Sequence, residues 1–119
     1  MPPYDNRQIL EVEFPLEGGS KKHPAVILSV PKVYETEEYY ICAMISSIDA
    51  RDQFSFPLND EDVTNPFEKK SQVRTHLIAQ IFDDEIVKTM PINYMTKETF
   101  NRLVDYINEN VFGIPFSYS

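Results

Sequence analysis

At 119 residues the chain suits a single domain spanning 1–119 and not comfortably two, and 42% hydrophobic residues are enough to build a real core. Its formal charge of −8 is opposite in sign to the usual footprint of a nucleic-acid binder, but the cations are unevenly placed, so a local basic groove on an acidic body stays open. No apolar run approaches the roughly 20 residues of a membrane span, and the opening MPPYDNRQ has no basic region followed by an apolar stretch, so no membrane anchor or signal peptide is expected and the cytoplasm is the expected compartment.

Residues 1–7 read as a loose start. A first strand is expected over 8–15, where Leu10, Val12 and Phe14 alternate with Glu11 and Glu13. Gly18 and Gly19 supply the permissive backbone of a turn, with Lys21, Lys22 and His23 as a basic tip beyond it. The second strand is expected over 24–30, and its unbroken apolar run suits a buried position. Residues 31–38 read as a polar connection. Tyr39–Ser47, rich in aromatic and β-branched residues, is the third strand. It carries the single cysteine, Cys42, whose apolar neighbours mark a buried thiol rather than a nucleophile.

A turn over 49–52 leads into a hairpin partner in which Phe54, Phe56 and Leu58 alternate. Residues 59–70 form a polar loop around Asn65-Pro66. Over the next strand, Ser71–Phe82, strict alternation sets Val73, Leu77 and Ile81 on one face and Arg74, His76, Ile78 and Gln80 on the other. A short element at 86–90 is broken by Pro91. The one strong helix runs over 96–111: Thr96 is its N-cap, Glu98 suits its positive start, and Phe100, Leu103, Val104, Ile107 and Val111 form its apolar stripe. Gly113 is its stop and Pro115 cannot continue it. The expected fold class is mainly β with a C-terminal helix, a small and partly open β-barrel packed by that helix.

No metal or cofactor is expected, because His23 and His76 are the only histidines and neither stands at ligand spacing from a partner. Gly18-Gly19 lacks the spacing and the following helix of a phosphate-binding loop, and there is no nucleophile elbow. What remains is a polar set the fold can gather: His23, Ser46, Ser47, Arg74 and His76. Metal-independent RNA cleavage needs such a set. A base takes the proton of the attacking 2′-hydroxyl, an acid protonates the leaving 5′-oxygen, and a cation steadies the phosphorane-like charge. Histidine titrates near neutrality and arginine matches phosphate oxygens. The plain alternatives are a loop histidine, strand-closing serines, a surface arginine, a histidine paired across the sheet and solvated lysines.

Five segments resemble the MazF/PemK family of toxins from type II toxin–antitoxin systems: VEFPLEGGS, KKHPAVILS, CAMISS, SQVRTH and YMTKETFNRLVDYI. The resemblance implies an SH3-like barrel of the MazF/PemK/CcdB type, a homodimer, cleavage of single-stranded mRNA with inhibition of growth, and a cognate antitoxin whose tail occupies the RNA groove. The family's catalytic arginine, directly before a proline, falls on His23, and its catalytic threonine falls on Ser46. A basic residue and an aspartate fall on Arg74 and His76. The implied catalytic set is His23, Ser46, Arg74 and His76, with Lys21, Lys22, Ser47 and Lys70 touching RNA. Two other outcomes remain open: a groove that binds without cleaving, or a CcdB-like toxin of DNA gyrase acting through residues 114–119.

Overall fold

The computed structural model describes residues 3–114. Strands β1 (Gln8–Leu16), β2 (Gly19–Ile27), β3 (Tyr39–Ser46), β4 (Ser55–Leu58), β5 (Ser71–Phe82) and β6 (Asn93–Tyr94) form one antiparallel sheet in the order β4-β5-β3-β2-β1-β6. Helix α1 (Pro31–Glu37) links β2 to β3, and α2 (Lys97–Asn110) follows β6. The sheet is not closed, but its edges are drawn together. Val63, past β4, bridges Met95, past β6, and the Thr64 amide donates to the Tyr94 carbonyl at 2.9 Å. This is the expected mainly-β architecture, barrel-like and open, with a terminal helix. Among the described residues no helix is long and apolar enough to cross a membrane.

Both faces of the sheet are covered, as strand alternation requires. Ile9, Val26, Ala43, Ile45 and Val73 pack with Phe100, Leu103 and Ile107 of α2. The alternate residues Leu10, Val12, Phe14, Ala25, Ile27, Tyr40 and Cys42 build the other cluster. Burial pushes the Cys42 thiol up to about 12, so it stays protonated and inert at neutral pH. Thr96 caps α2 by accepting from the Thr99 amide at 3.2 Å. Buried Asp62, in a short 3-10 turn, anchors the same helix start. It accepts from the Thr99 hydroxyl at 2.7 Å, from Arg102 at 3.0 Å and from the Asn59 amide at 2.7 Å. Gly113, with φ 69°, lets the chain reverse so that the Ile114 amide reaches the Asn108 carbonyl at 2.8 Å. Pro115 lies outside the described residues.

Four local expectations are corrected. Residues 31–37 are a helix, not a connection: Pro31 fits a first turn, Tyr34 stacks on Tyr40 with ring centroids 4.6 Å apart, and left-handed Glu38 ends it. Lys21, Lys22 and His23 are not a tip. The turn is only Glu17-Gly18, so the three lie inside β2, opposite Phe14, Glu13 and Val12. The alternation assumed for β5 also breaks. Ala43 pairs with Ile78 while Met44 pairs with Arg74, so residues 75–77 bulge out within a single step of β3. The bulge exchanges faces: Val73 and Ile78 join the helix-side cluster, Leu77 and Ile81 the other. Finally, the element expected at 86–90 is a single bridge, Ile86 to Val12, and the last strand is β6.

Candidate active site

The site begins with a missing hydrogen. The Leu28 amide donates to the Ile41 carbonyl at 2.8 Å, and Val26 pairs with Ala43. Even-numbered residues at this end of β2 therefore turn their polar groups toward β3. The next such residue is Pro24, which has no N–H to give. Pairing between β2 and β3 stops at Ala25 and Met44. Beyond that point β2 pairs with β1 alone and β3 with β5, and a cleft of about 320 Å³ opens between them. Its lining includes Lys22, His23, Ser46, Ser47, Ile48 and Ser71. Had the register continued, His23 would oppose Ser46 and Lys22 would oppose Ser47. A larger cleft of about 880 Å³ shares Ser47 and Ser71 with the first and carries Lys69, Lys70 and Phe67.

Ser46 is held from two sides. Its Oγ accepts from the Ile48 amide at 3.1 Å, which leaves the hydroxyl proton available to a ligand oxygen. Its carbonyl accepts from Gln72 Nε2 at 2.7 Å, and the same nitrogen also donates to the Ile48 carbonyl. His23 is half-buried beside exposed Lys22, and Lys21 is exposed.

Arg74 and His76 stand apart from this lining. Gln72 pairs with Ser46 and Arg74 with Met44, so the pleat puts Ser46, Gln72 and Arg74 on one face. The guanidinium is occupied, however. Its Nη1 and Nη2 donate to Asp52 Oδ1 and Oδ2, each at 2.9 Å, and Nη1 also donates to Ser55 Oγ. The Arg74 side chain is only 13% exposed. Its hydrogen bonds hold the Asp52 carboxyl down at about 2. His76 is exposed and lies on the Phe54 ring with centroids 4.6 Å apart. The structure thus brings His23, Lys22, Ser46 and Ser47 together, puts Lys70 in the adjoining cleft, ties Arg74 to Asp52, and leaves Lys21 and His76 out of the lining. Gln72, Asp52, Ser55 and Ser71 were missed by sequence reasoning. Asp52 signalled only a turn, and nothing marks a mid-strand glutamine as a clamp.

Over residues 5–110 the sequence matches the family described as PemK-like, MazF-like toxin of type II toxin-antitoxin system. The chain belongs to this family. No curated protein sequence matches this PemK/MazF-like chain. Among solved structures it is similar to an endoribonuclease from a mycobacterial species, at 13% identity and a TM-score of 0.73, over 97% of this chain and 96% of that one. It is also similar to the Mycobacterium tuberculosis toxin MazF-mt6, at 18% identity and a TM-score of 0.70, over 91% of this chain and 98% of that one. A third is a mycobacterial endoribonuclease solved with its cognate antitoxin, at 14% identity and a TM-score of 0.72, over 95% and 98%. At such identities the likeness establishes the shared fold. Within that fold, the PemK/MazF-like chain carries His23 directly before the proline that parts its strands.

Proposed function

We propose that this PemK/MazF-like toxin cleaves single-stranded RNA and thereby inhibits growth, acting in the cytoplasm as a homodimer silenced by a cognate antitoxin. The observation that carries the proposal is the pair His23 and Ser46 on the two lips of the cleft at Pro24, with Lys22 beside them. It is supported by relatives of the same fold named as endoribonucleases, one of them solved with its antitoxin. The RNA's 2′-hydroxyl attacks the adjacent phosphorus and His23 takes its proton. Ser46 donates its hydroxyl proton as a hydrogen bond to a non-bridging oxygen, and Lys22 lowers the potential there. The P–O5′ bond breaks, leaving a 2′,3′-cyclic phosphate and a 5′-hydroxyl protonated by solvent. No step of this route calls for a metal. His76, outside the lining, is assigned none of these steps.

The test is a long single-stranded RNA incubated with purified protein in excess chelator, beside the His23→Ala and His76→Ala variants. Discrete fragments ending in cyclic phosphate are expected. Loss of the general base is expected to slow cleavage by about 10²- to 10⁴-fold, while His76→Ala cleaves nearly as well as the wild type. Intact RNA from folded, antitoxin-free protein would overturn the proposal. One observation favours a second reading, a toxin-like module that binds without cleaving: Arg74 is already engaged by Asp52. Such a module would bind an antitoxin peptide and leave RNA whole. The gyrase-directed alternative rests on 114–119, of which 115–119 lie outside the described residues.

A further inference from the structure

The Asp52 carboxylate sits in a nest of donors. Oδ1 accepts from Arg74 Nη1 at 2.9 Å, from the Phe54 amide at 3.0 Å and from Ser55 Oγ at 3.3 Å, while Oδ2 accepts from Arg74 Nη2 at 2.9 Å. A two-pronged guanidinium, a hydroxyl and a backbone N–H are also the donors that hold two oxygens of a phosphodiester. The nest shares its sheet face with Ser46, two residues along β5 from Gln72. Asp52 itself comes from the exposed loop between β3 and β4. The residue before it, Arg51, has φ 47°, a left-handed conformation that costs a non-glycine residue about 1 kcal/mol. The carboxylate is therefore seated by its own hydrogen bonds, while the loop is held separately, by the Tyr106 hydroxyl on the Gln53 carbonyl at 2.6 Å and the Thr75 amide on the Phe54 carbonyl at 2.9 Å, so the side chain can leave without unseating the loop.

We infer that Arg74 and Ser55 form a phosphate subsite of the RNA groove that the chain's own Asp52 plugs in the free protein, so that RNA must displace Asp52 to bind there. The inference rests on the proposed RNA-cleaving function, and it adds an occupied site and a self-inhibiting contact to it. An RNA phosphate and the carboxylate compete for one guanidinium. Removing the carboxylate's charge favours RNA.

The test is fluorescence anisotropy with a labelled single-stranded 2′-O-methyl RNA, which cannot be cut by its own 2′-hydroxyl. Asp52→Asn keeps an oxygen for the Phe54 amide, so the turn is retained. It is expected to bind on the order of tenfold more tightly than the wild type, a difference of about 1.4 kcal/mol. Asp84→Asn removes the same charge from an exposed turn that lines neither cleft and is expected to change affinity less than about twofold. In an Arg74→Ala background the Asp52→Asn gain is expected to vanish, as a contact acting through Arg74 requires. No gain, a gain matched by Asp84→Asn, a gain that persists without Arg74, or no binding by any variant would each overturn the plug. The two ideas fail separately. A wild type that cleaves RNA while Asp52→Asn gains nothing leaves the nuclease without a plug. Tighter binding with no cleavage by any variant leaves the plug without a nuclease.

Discussion

At the scale of single residues the same ion pair has a second, thermodynamic signature. Asp52 has a folded carboxyl at about 2 against an ordinary 3.8, because Arg74 hydrogen-bonds its charged form. A lowered folded value means that the pair's contribution to stability is fully present above pH 3.8 and is lost as the pH falls through about 2. Wild-type protein should therefore melt above Asp52→Asn from neutrality down to about pH 4, and the gap should close between pH 3.8 and 2. Thermal melts of both proteins across pH 2–7 check this. A gap independent of pH would mean that the charge on Asp52 contributes nothing. The expected result gives Asp52 opposite effects on fold and ligand: it steadies the loop while it occupies the arginine.

At the scale of elements, α2 is fixed at its start by Asp62, and the contacts are uneven in worth. Arg102 is half-exposed, so its share is screened, whereas the Thr99 hydroxyl and the Asn59 amide meet a carboxylate that is only 4% exposed. Asp62→Ala strands these donors and should cost about 3 kcal/mol, against about 1 kcal/mol for Thr96→Ala, which removes only the cap. Urea unfolding at neutral pH measures both, and equal losses would show that the buried carboxylate is no more than a second cap. The Thr96 cap, the apolar stripe and the Gly113 stop were legible in the sequence because they are local. So was β1, where alternation is clean. Asp62 was not, since its partners on α2 lie 37 and 40 residues away. The 75–77 bulge was hidden for the same reason: only pairing with β3 shows that β5 changes face. At the site, KKHPAVILS located His23 through the family resemblance, but the clamp by Gln72 and the hold of Asp52 on Arg74 are contacts across the sheet that no local spacing reveals.

At the scale of the whole molecule, a net charge of −8 has to coexist with the groove proposed for RNA. Lys22 and Lys70 lie on adjoining clefts, while Asp49, Asp60, Glu61 and Glu68 also line the larger one. Their contributions are separable by salt. Each phosphate neutralised on a single strand adds about 0.7 to the slope of log affinity against log salt. Lys22→Ala and Lys70→Ala should each flatten that slope by about this amount and weaken binding to any sequence alike. Titrations from 50 to 300 mM salt read it out directly. An unchanged slope would mean that the lysine touches no phosphate.

The gap at Pro24 has a further consequence. A binding slot between strands ordinarily has to be pried open, and each ladder bond broken on the way subtracts from the affinity. Here the bond was never available, because the ring that fixes the backbone of Pro24 also occupies the place of its hydrogen. The opening is written into the covalent chain and is complete when folding is complete. In the proposed reaction a ligand therefore meets this slot already parted, and contacts with His23 and Ser46 would count toward binding rather than toward opening the sheet.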